Sequence, residues 1–266
     1  MKDNSGGYMS SIKEIYEYRS MIFSLARREL RGKYEKSVLG FLWAFLGPMF
    51  QILIYGLVFT VIYHNGLPNY YIFLMTGMLP WTFFSDSIGS GTGAIVSNAE
   101  MVKKIYFPRE TLVLSEVLAK LVNMLLSFIV MAGFILVSRV GFSYHVILLP
   151  LIIFSELLLA TGCAFLVAAL TVYFRDLEYI VNVILMAWVW GTPIMYEMDS
   201  VTSPVFHRLL ELNPLSNVIC AYHAVLYYHT FPTISNVVVP IIEGTLITIV
   251  GYTVFNRVKK HFVEEL

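Results

Sequence analysis

Six long apolar runs, at about 39–62, 70–95, 111–137, 144–173, 179–196 and 237–256, alternate with polar connections. Each run is near the roughly 20 residues that a helix needs to cross hydrocarbon. A helix satisfies its own backbone hydrogen bonds, which lipid cannot do, and the period-two alternation of a membrane barrel is absent. The pattern predicts an all-α integral membrane protein, with six transmembrane helices in one domain over 1–266. Pro48, Pro80 and Pro193 are expected to bend spans one, two and five.

Three connecting segments carry patterns of their own. In 11–31, Ser11 and Glu14 have capping-box spacing, and Ile12, Ile15, Tyr16, Ile22 and Ala26 follow a helical stripe. This predicts an N-terminal amphipathic helix lying in the membrane interface; a helix packed on a partner is the alternative. Between runs two and three, Ser97 and Glu100 repeat the capping spacing and Pro108 stops a helix, which predicts a short helix over about 98–105. Between runs five and six, Val205, Phe206, Leu209, Leu210, Leu212, Leu215, Val218 and Ile219 recur at helical spacing, broken at Asn213-Pro214. Two short re-entrant helices sunk in the outer leaflet fit that pattern better than a loop.

Charge orients the picture. Assigning the connections to alternate sides puts 15 Lys and Arg on one side and 2 on the other, with Lys120 inside span three. The excess places both termini in the cytoplasm. The chain is 58% hydrophobic and 14% charged, against about a quarter charged in soluble domains. Net charge is zero, and nothing points to a nucleic-acid partner. The first ~38 residues are polar and amphipathic, unlike a cleavable signal peptide.

The chemistry the sequence lacks narrows the function. Gly32-Lys33 is followed by Tyr34 rather than completing a phosphate loop, and there is no HExxH, GxSxG or metal-ligand cluster. No catalytic residue and no metal or cofactor site is expected on this chain. No cytoplasmic segment is long enough for an ATPase, so ATP-driven work needs a second chain. Asp86, Glu116, Lys120, Glu156 and Glu243 sit in apolar runs, where an ionisable group is a functional candidate by default. Glu116 and Lys120 are four apart and can pair on one helix. Glu156 and Glu243 are read as near the outer interface. Gly89–Gly93 ends a span and reads as close helix packing rather than a phosphate cradle. Tyr55, Phe59, Trp81, Phe84, Trp188 and Tyr196 fall on or near spans. Sugars stack on aromatic faces, so such residues can line a glycan path; an interfacial aromatic belt is the alternative.

In order along the chain come RRELRGKYEKSVLGFLWAFLGP, TGMLPWTFFSDSI, VKKIYFPRE, TVYFRDLEYI, TPIMY and LNPLS. This series resembles the membrane subunit of ABC-2-type polysaccharide exporters, which move lipid-linked O-antigens, capsular glycans and teichoic acids. The resemblance implies a homodimer with two cytoplasmic ABC ATPase subunits, which bind ATP and Mg. The host membrane would be the cytoplasmic (inner) membrane of a bacterium. The short helix would be its coupling helix, with Asn98, Glu100, Met101, Val102, Lys103, Lys104, Ile105, Tyr106, Phe107 and Pro108 meeting the ATPase. Charge and position place Arg27, Arg28, Arg31, Lys33 and Tyr34 where a lipid pyrophosphate could be met. The expected function is export of a polyprenyl-pyrophosphate-linked polysaccharide, O-antigen first. An ABC-2 exporter of a drug or lipid, or an ion-coupled carrier using Glu116, Lys120 or Glu156, are the rival readings.

Overall fold

A computed structural model describes residues 8–32, 42–58, 67–137 and 141–266. The described residues are helical, with no strand among them. The helices are α1 (Tyr8–Glu17), α2 (Arg19–Gly32), α3 (Trp43–Leu57), α4 (Tyr70–Gly93), α5 (Ala99–Lys104), α6 (Glu110–Val137), α7 (Leu149–Thr171), α8 (Leu177–Trp188), α9 (Pro204–Leu212), α10 (Pro214–Leu226), α11 (Ile234–Val258) and α12 (Phe262–Glu265). Three helical segments, Glu110–Leu136, Tyr144–Thr171 and Ile234–Glu265, are long and apolar enough to cross a membrane.

α4 is the central helix, packed on α6, α7, α8, α10 and α3. It is 24 residues long, about 36 Å at 1.5 Å per residue. It buries side chains on every face, including Thr76, Ser87 and Thr92. Their hydroxyls are those a lipid-facing helix would avoid; Thr76 and Thr92 donate to carbonyls one turn earlier in the helix. The Gly89–Gly93 stretch packs closely where a Cβ on Gly91 would lie 3.2 Å from Ala164 Cα, so α4 and α7 meet nearly backbone to backbone.

α7 and α11 approach closer still. A Cβ on Gly162 would lie 2.5 Å from Thr248 N, and one on Gly251 would collide with Gly162 O. Thr248 Oγ1 donates to Leu158 O at 2.7 Å across the same seam. Without a hydrophobic drive between helices in lipid, small residues and interhelical hydrogen bonds are what join them.

Several expectations change. The N-terminal unit is two helices, broken at Tyr18, rather than one. Ser11 lies inside α1, so the proposed capping box does not form there. α2 buries Leu25 and Ala26 and packs on α6. Tyr16, placed on the apolar stripe, is exposed under the Arg19 guanidinium, which sits 4.6 Å from its ring centre.

The fifth run forms a helix only from Leu177 to Trp188. Twelve residues rise about 18 Å, short of the ~30 Å of hydrocarbon. Pro193 stands in the irregular stretch beyond, so it bends no helix. Pro80 does lie inside α4. The two short helices after it are α9 and α10, separated at Asn213. α10 buries Leu215, Val218, Ile219, Tyr222 and Val225 within the protein.

Candidate functional site

The short helix between α4 and α6 is α5, preceded by a 3-10 turn at Val96–Asn98. Asn98 is its N-cap residue, and Ser97 and Glu100 do not form the expected box. The Asn98 side chain is committed elsewhere: its Nδ2 donates to Ala94 O at 2.9 Å and its Oδ1 accepts from Arg28 at 2.9 Å. One face of α5 turns inward through Val102, and Phe107 and Pro108 close the segment as buried residues. Lys103, Lys104, Ile105 and Tyr106 face out, with Tyr106 80% exposed. Glu100 and Lys104 pair at 2.9 Å on the outer surface, and Met101 is half-buried. Tyr106 donates to Glu14 of α1 at 3.3 Å. The neighbouring carboxylate pushes the tyrosine pKa above its ordinary value, so the hydroxyl stays a donor at neutral pH.

The two helices before the first span therefore reach the segment twice, through Arg28 and Glu14. Of the basic residues proposed to meet a pyrophosphate, Arg28 is held by Asn98, and Arg31 is exposed at the end of α2. Arg27 lines a mostly apolar groove of about 450 Å³ with Phe23, Leu30, Leu118 and Val122. Lys33 and Tyr34 lie outside the described residues. The described arginines thus point to different surroundings rather than forming one cluster.

Glu116 and Lys120 of α6 are 3.8 Å apart. Lys120 also reaches Glu29 of α2 at 3.4 Å. Glu29 was legible as the one acid within the basic run RRELRGK, but its spacing to Lys120 carries no sequence signal. Two carboxylates answering one ammonium make burial of Lys120 tolerable. Glu156 is fully buried and accepts from Tyr222 of α10 at 2.7 Å, enclosed by protein.

The aromatic residues separate into two groups. Tyr55 and Trp81 line a groove of about 540 Å³ between α3, α4 and α8, together with Ser85, Asp86, Ser90, Lys120 and Asn182. Trp190 also lines it. Phe84 is buried edge-on to Trp188 at 5.6 Å, in the core beside the groove. Tyr196 donates to Trp190 O at 2.9 Å and braces the turn after α8. Phe59 lies outside the described residues. Asn182 carried no motif, and only the meeting of α8 with α4 reveals it.

The motifs TPIMY and LNPLS, 20 residues apart in sequence, meet in space. Asn213 Nδ2 donates to Gly191 O at 2.9 Å and to Thr192 Oγ1 at 3.0 Å, while its Oδ1 caps Leu215 N at 3.1 Å. One side chain thus holds the irregular backbone beyond α8 and starts α10. Tyr70 of α4 adds a bond to Met195 O at 2.6 Å.

The model of the family described as ABC-2 type transporter matches residues 20–227, from α2 through α10. The chain belongs to the ABC-2 type transporter membrane family. The match runs through α5 and through both faces of the aromatic groove, and makes this a multi-pass membrane protein of a transporter family. The chain is 32% identical over 256 residues to the O-antigen export system permease protein RfbA of Myxococcus xanthus, covering 96% of this chain and 98% of the relative. It is 29% identical to an O-antigen export system permease protein RfbA of Klebsiella pneumoniae, over 92% and 95%. The polysialic acid transport protein KpsM of Escherichia coli is 26% identical over 204 residues, covering 74% and 77%. This ABC-2 chain thus aligns over more than nine tenths of its length with O-antigen export system permeases.

Proposed function

We propose that this chain is the permease subunit of an ATP-driven exporter of a lipid-linked polysaccharide, O-antigen first among the candidates. The observation that carries the reading is the likeness to O-antigen export permeases over 96% of the chain. The groove between α3, α4 and α8 supports it: Tyr55, Trp81 and Trp190 offer rings for sugar faces, and Ser85, Asp86 and Asn182 offer partners for sugar hydroxyls. Its volume falls within the ~300–1,000 Å³ common for ligand sites.

In this reading the chain crosses the membrane six times with both termini in the cytoplasm. The spans are α3, α4, α6, α7, α8 with its irregular continuation, and α11. Two copies pair through the exposed apolar faces of α3 (Phe50, Leu53, Ile54, Leu57) and α8 (Tyr179, Val183, Ile184, Met186), which flank the groove. Two cytoplasmic ABC ATPases bind ATP and Mg, and α5 seats in them with Lys103, Lys104, Ile105 and Tyr106 outward. Closure of the ATPases moves α5, and α5 moves α4 and α6 on either side. Arg27 of α2, beside its apolar groove, is placed to meet the anionic head of the lipid carrier.

The test is complementation with copurification. The tagged chain, expressed with a candidate ABC ATPase from the same genome in a host lacking its own O-antigen permease, should restore surface polysaccharide and copurify with that ATPase. Changing Lys103, Lys104 and Tyr106 together to Ala should abolish export while leaving the detergent-solubilised chain folded. Undiminished export by that triple variant would remove α5 from the docking role, and export without any ATPase would overturn the reading.

A further inference from the structure

Beside α5, the start of α6 and the end of α11 are joined by a contact that the docking role does not require. Glu110 opens α6 directly after Phe107-Pro108-Arg109 and is 1% exposed. Its Oε1 accepts from the ammonium of Lys259, in the turn that follows α11. The other oxygen, Oε2, is buried with no partner among the described residues, so Lys259 is what answers this carboxylate. Beyond the turn, Phe262 is fully buried, edge-on to Phe255 of α11 at 5.4 Å. α12, which Phe262 opens, lies against α5. Tyr173, just past α7, donates to Val258 O at 3.3 Å and draws the end of α7 into the same group.

We propose that Glu110 and Lys259 are positioning residues of energy coupling: their ion pair, seated by Phe262 and α12, makes α5 and the α7–α11 pair move as one body. The proposal rests on the reading that α5 docks on an ATPase. Its physical basis is the contrast in the stiffness of the contacts. α7 and α11 touch backbone to backbone at Gly162 and Gly251, leaving no side-chain layer to shear. A displacement delivered to the outer face of α5 has two ways into that body. One is apolar contact, which is non-directional and can slide. The other is an ion pair with one fully buried partner, Glu110, whose separation from the half-buried Lys259 would strand a carboxylate away from water. The second transmits motion without slip. Stability alone does not explain the pair, because buried ion pairs are often replaceable by apolar residues of similar size at little cost.

The experiment uses the complete complex with its ATPase in proteoliposomes, reading polysaccharide exported per ATP hydrolysed. Lys259→Gln and the double variant Glu110→Met/Lys259→Met should each lower that ratio about fivefold while hydrolysis stays near wild type. Lys259→Arg, which keeps the pair, and the exchanged pair Glu110→Lys/Lys259→Glu should restore it. A wild-type ratio in the double Met variant would overturn the proposal. A second measurement needs no change at the pair: spin labels at the exposed positions Ser97 and Arg257 should hold one separation with and without a non-hydrolysable ATP analogue. A shift of more than about 4 Å would also overturn it. Failure of the underlying reading is distinct, since the wild-type chain would then not bind the ATPase.

Discussion

The seam between α7 and α11 and the turn after α8 hold the protein together by opposite means. At the seam, residues without side chains let two backbones touch: Gly162 faces Thr248 N, and Gly251 faces Gly162 O. Beyond α8 the backbone leaves helical geometry, and side chains supply the missing partners: Asn213 to Gly191 and Thr192, Tyr70 to Met195, Tyr196 to Trp190. The first region gains from removing side-chain volume, the second from adding polar side chains. Regular helices in lipid can rely on close packing because their backbone groups are already paired. Irregular backbone within such a protein is tolerated only where something else pairs it. The aromatic groove lies beside the second region, with Val189 and Trp190 in its lining.

The largest effect should come from filling the seam. Gly162→Leu puts a branched side chain where a single carbon would already stand 2.5 Å from Thr248 N, so the variant should fail to elute as one species from detergent size-exclusion chromatography. Gly162→Ala should survive at a cost of about 1–3 kcal/mol, read as a lowered thermal midpoint. Asn213→Ala comes next. It removes three bonds and leaves the half-buried Gly191 carbonyl without that donor, at about 1–3 kcal/mol, while Asn213→Asp keeps only the cap on Leu215 and should fall between. If Asn213→Ala were silent in the same melt, the turn would not depend on its polar partners. Tyr222→Phe, which leaves the buried Glu156 without its donor, should cost about 1–3 kcal/mol by the same reasoning. The smallest change belongs to Glu100→Gln. Its exposed pair with Lys104 should move stability by no more than about 0.5 kcal/mol, so any loss of ATPase binding in that variant would reflect docking rather than folding.

Much of this was legible in the chain, for identifiable reasons. Apolar runs located α4, α6, α7 and α11 because a continuous greasy stretch has one stable form in lipid. The Asn213-Pro214 break between α9 and α10 was visible because proline is favoured at the first helical position and asparagine caps it. The Glu116–Lys120 pair followed from four-residue spacing on a helix. Capping boxes were less dependable. Ser11 fell inside α1, and Asn98 displaced Ser97 because its side chain was held by Ala94 and Arg28. The fifth run misled for another reason: Trp188–Tyr196 is as apolar as a helix, yet its backbone is paired by Asn213 and Tyr70 from elsewhere in the chain.

The amino-acid sequence alone decided that this protein lives in a membrane, is helical and carries no phosphate-loop motif. These are sums over local composition, and each residue contributes without knowing its neighbours in space. Tertiary structure decided which helices touch without a side-chain layer between them, and that Glu29 joins Lys120 from another helix. It also put Tyr55 and Trp81 around a groove while sending Phe84 into the core, and brought Lys259 to Glu110 across 149 residues. Such pairings depend on how the helices rotate and cross, and no spacing along the chain encodes that.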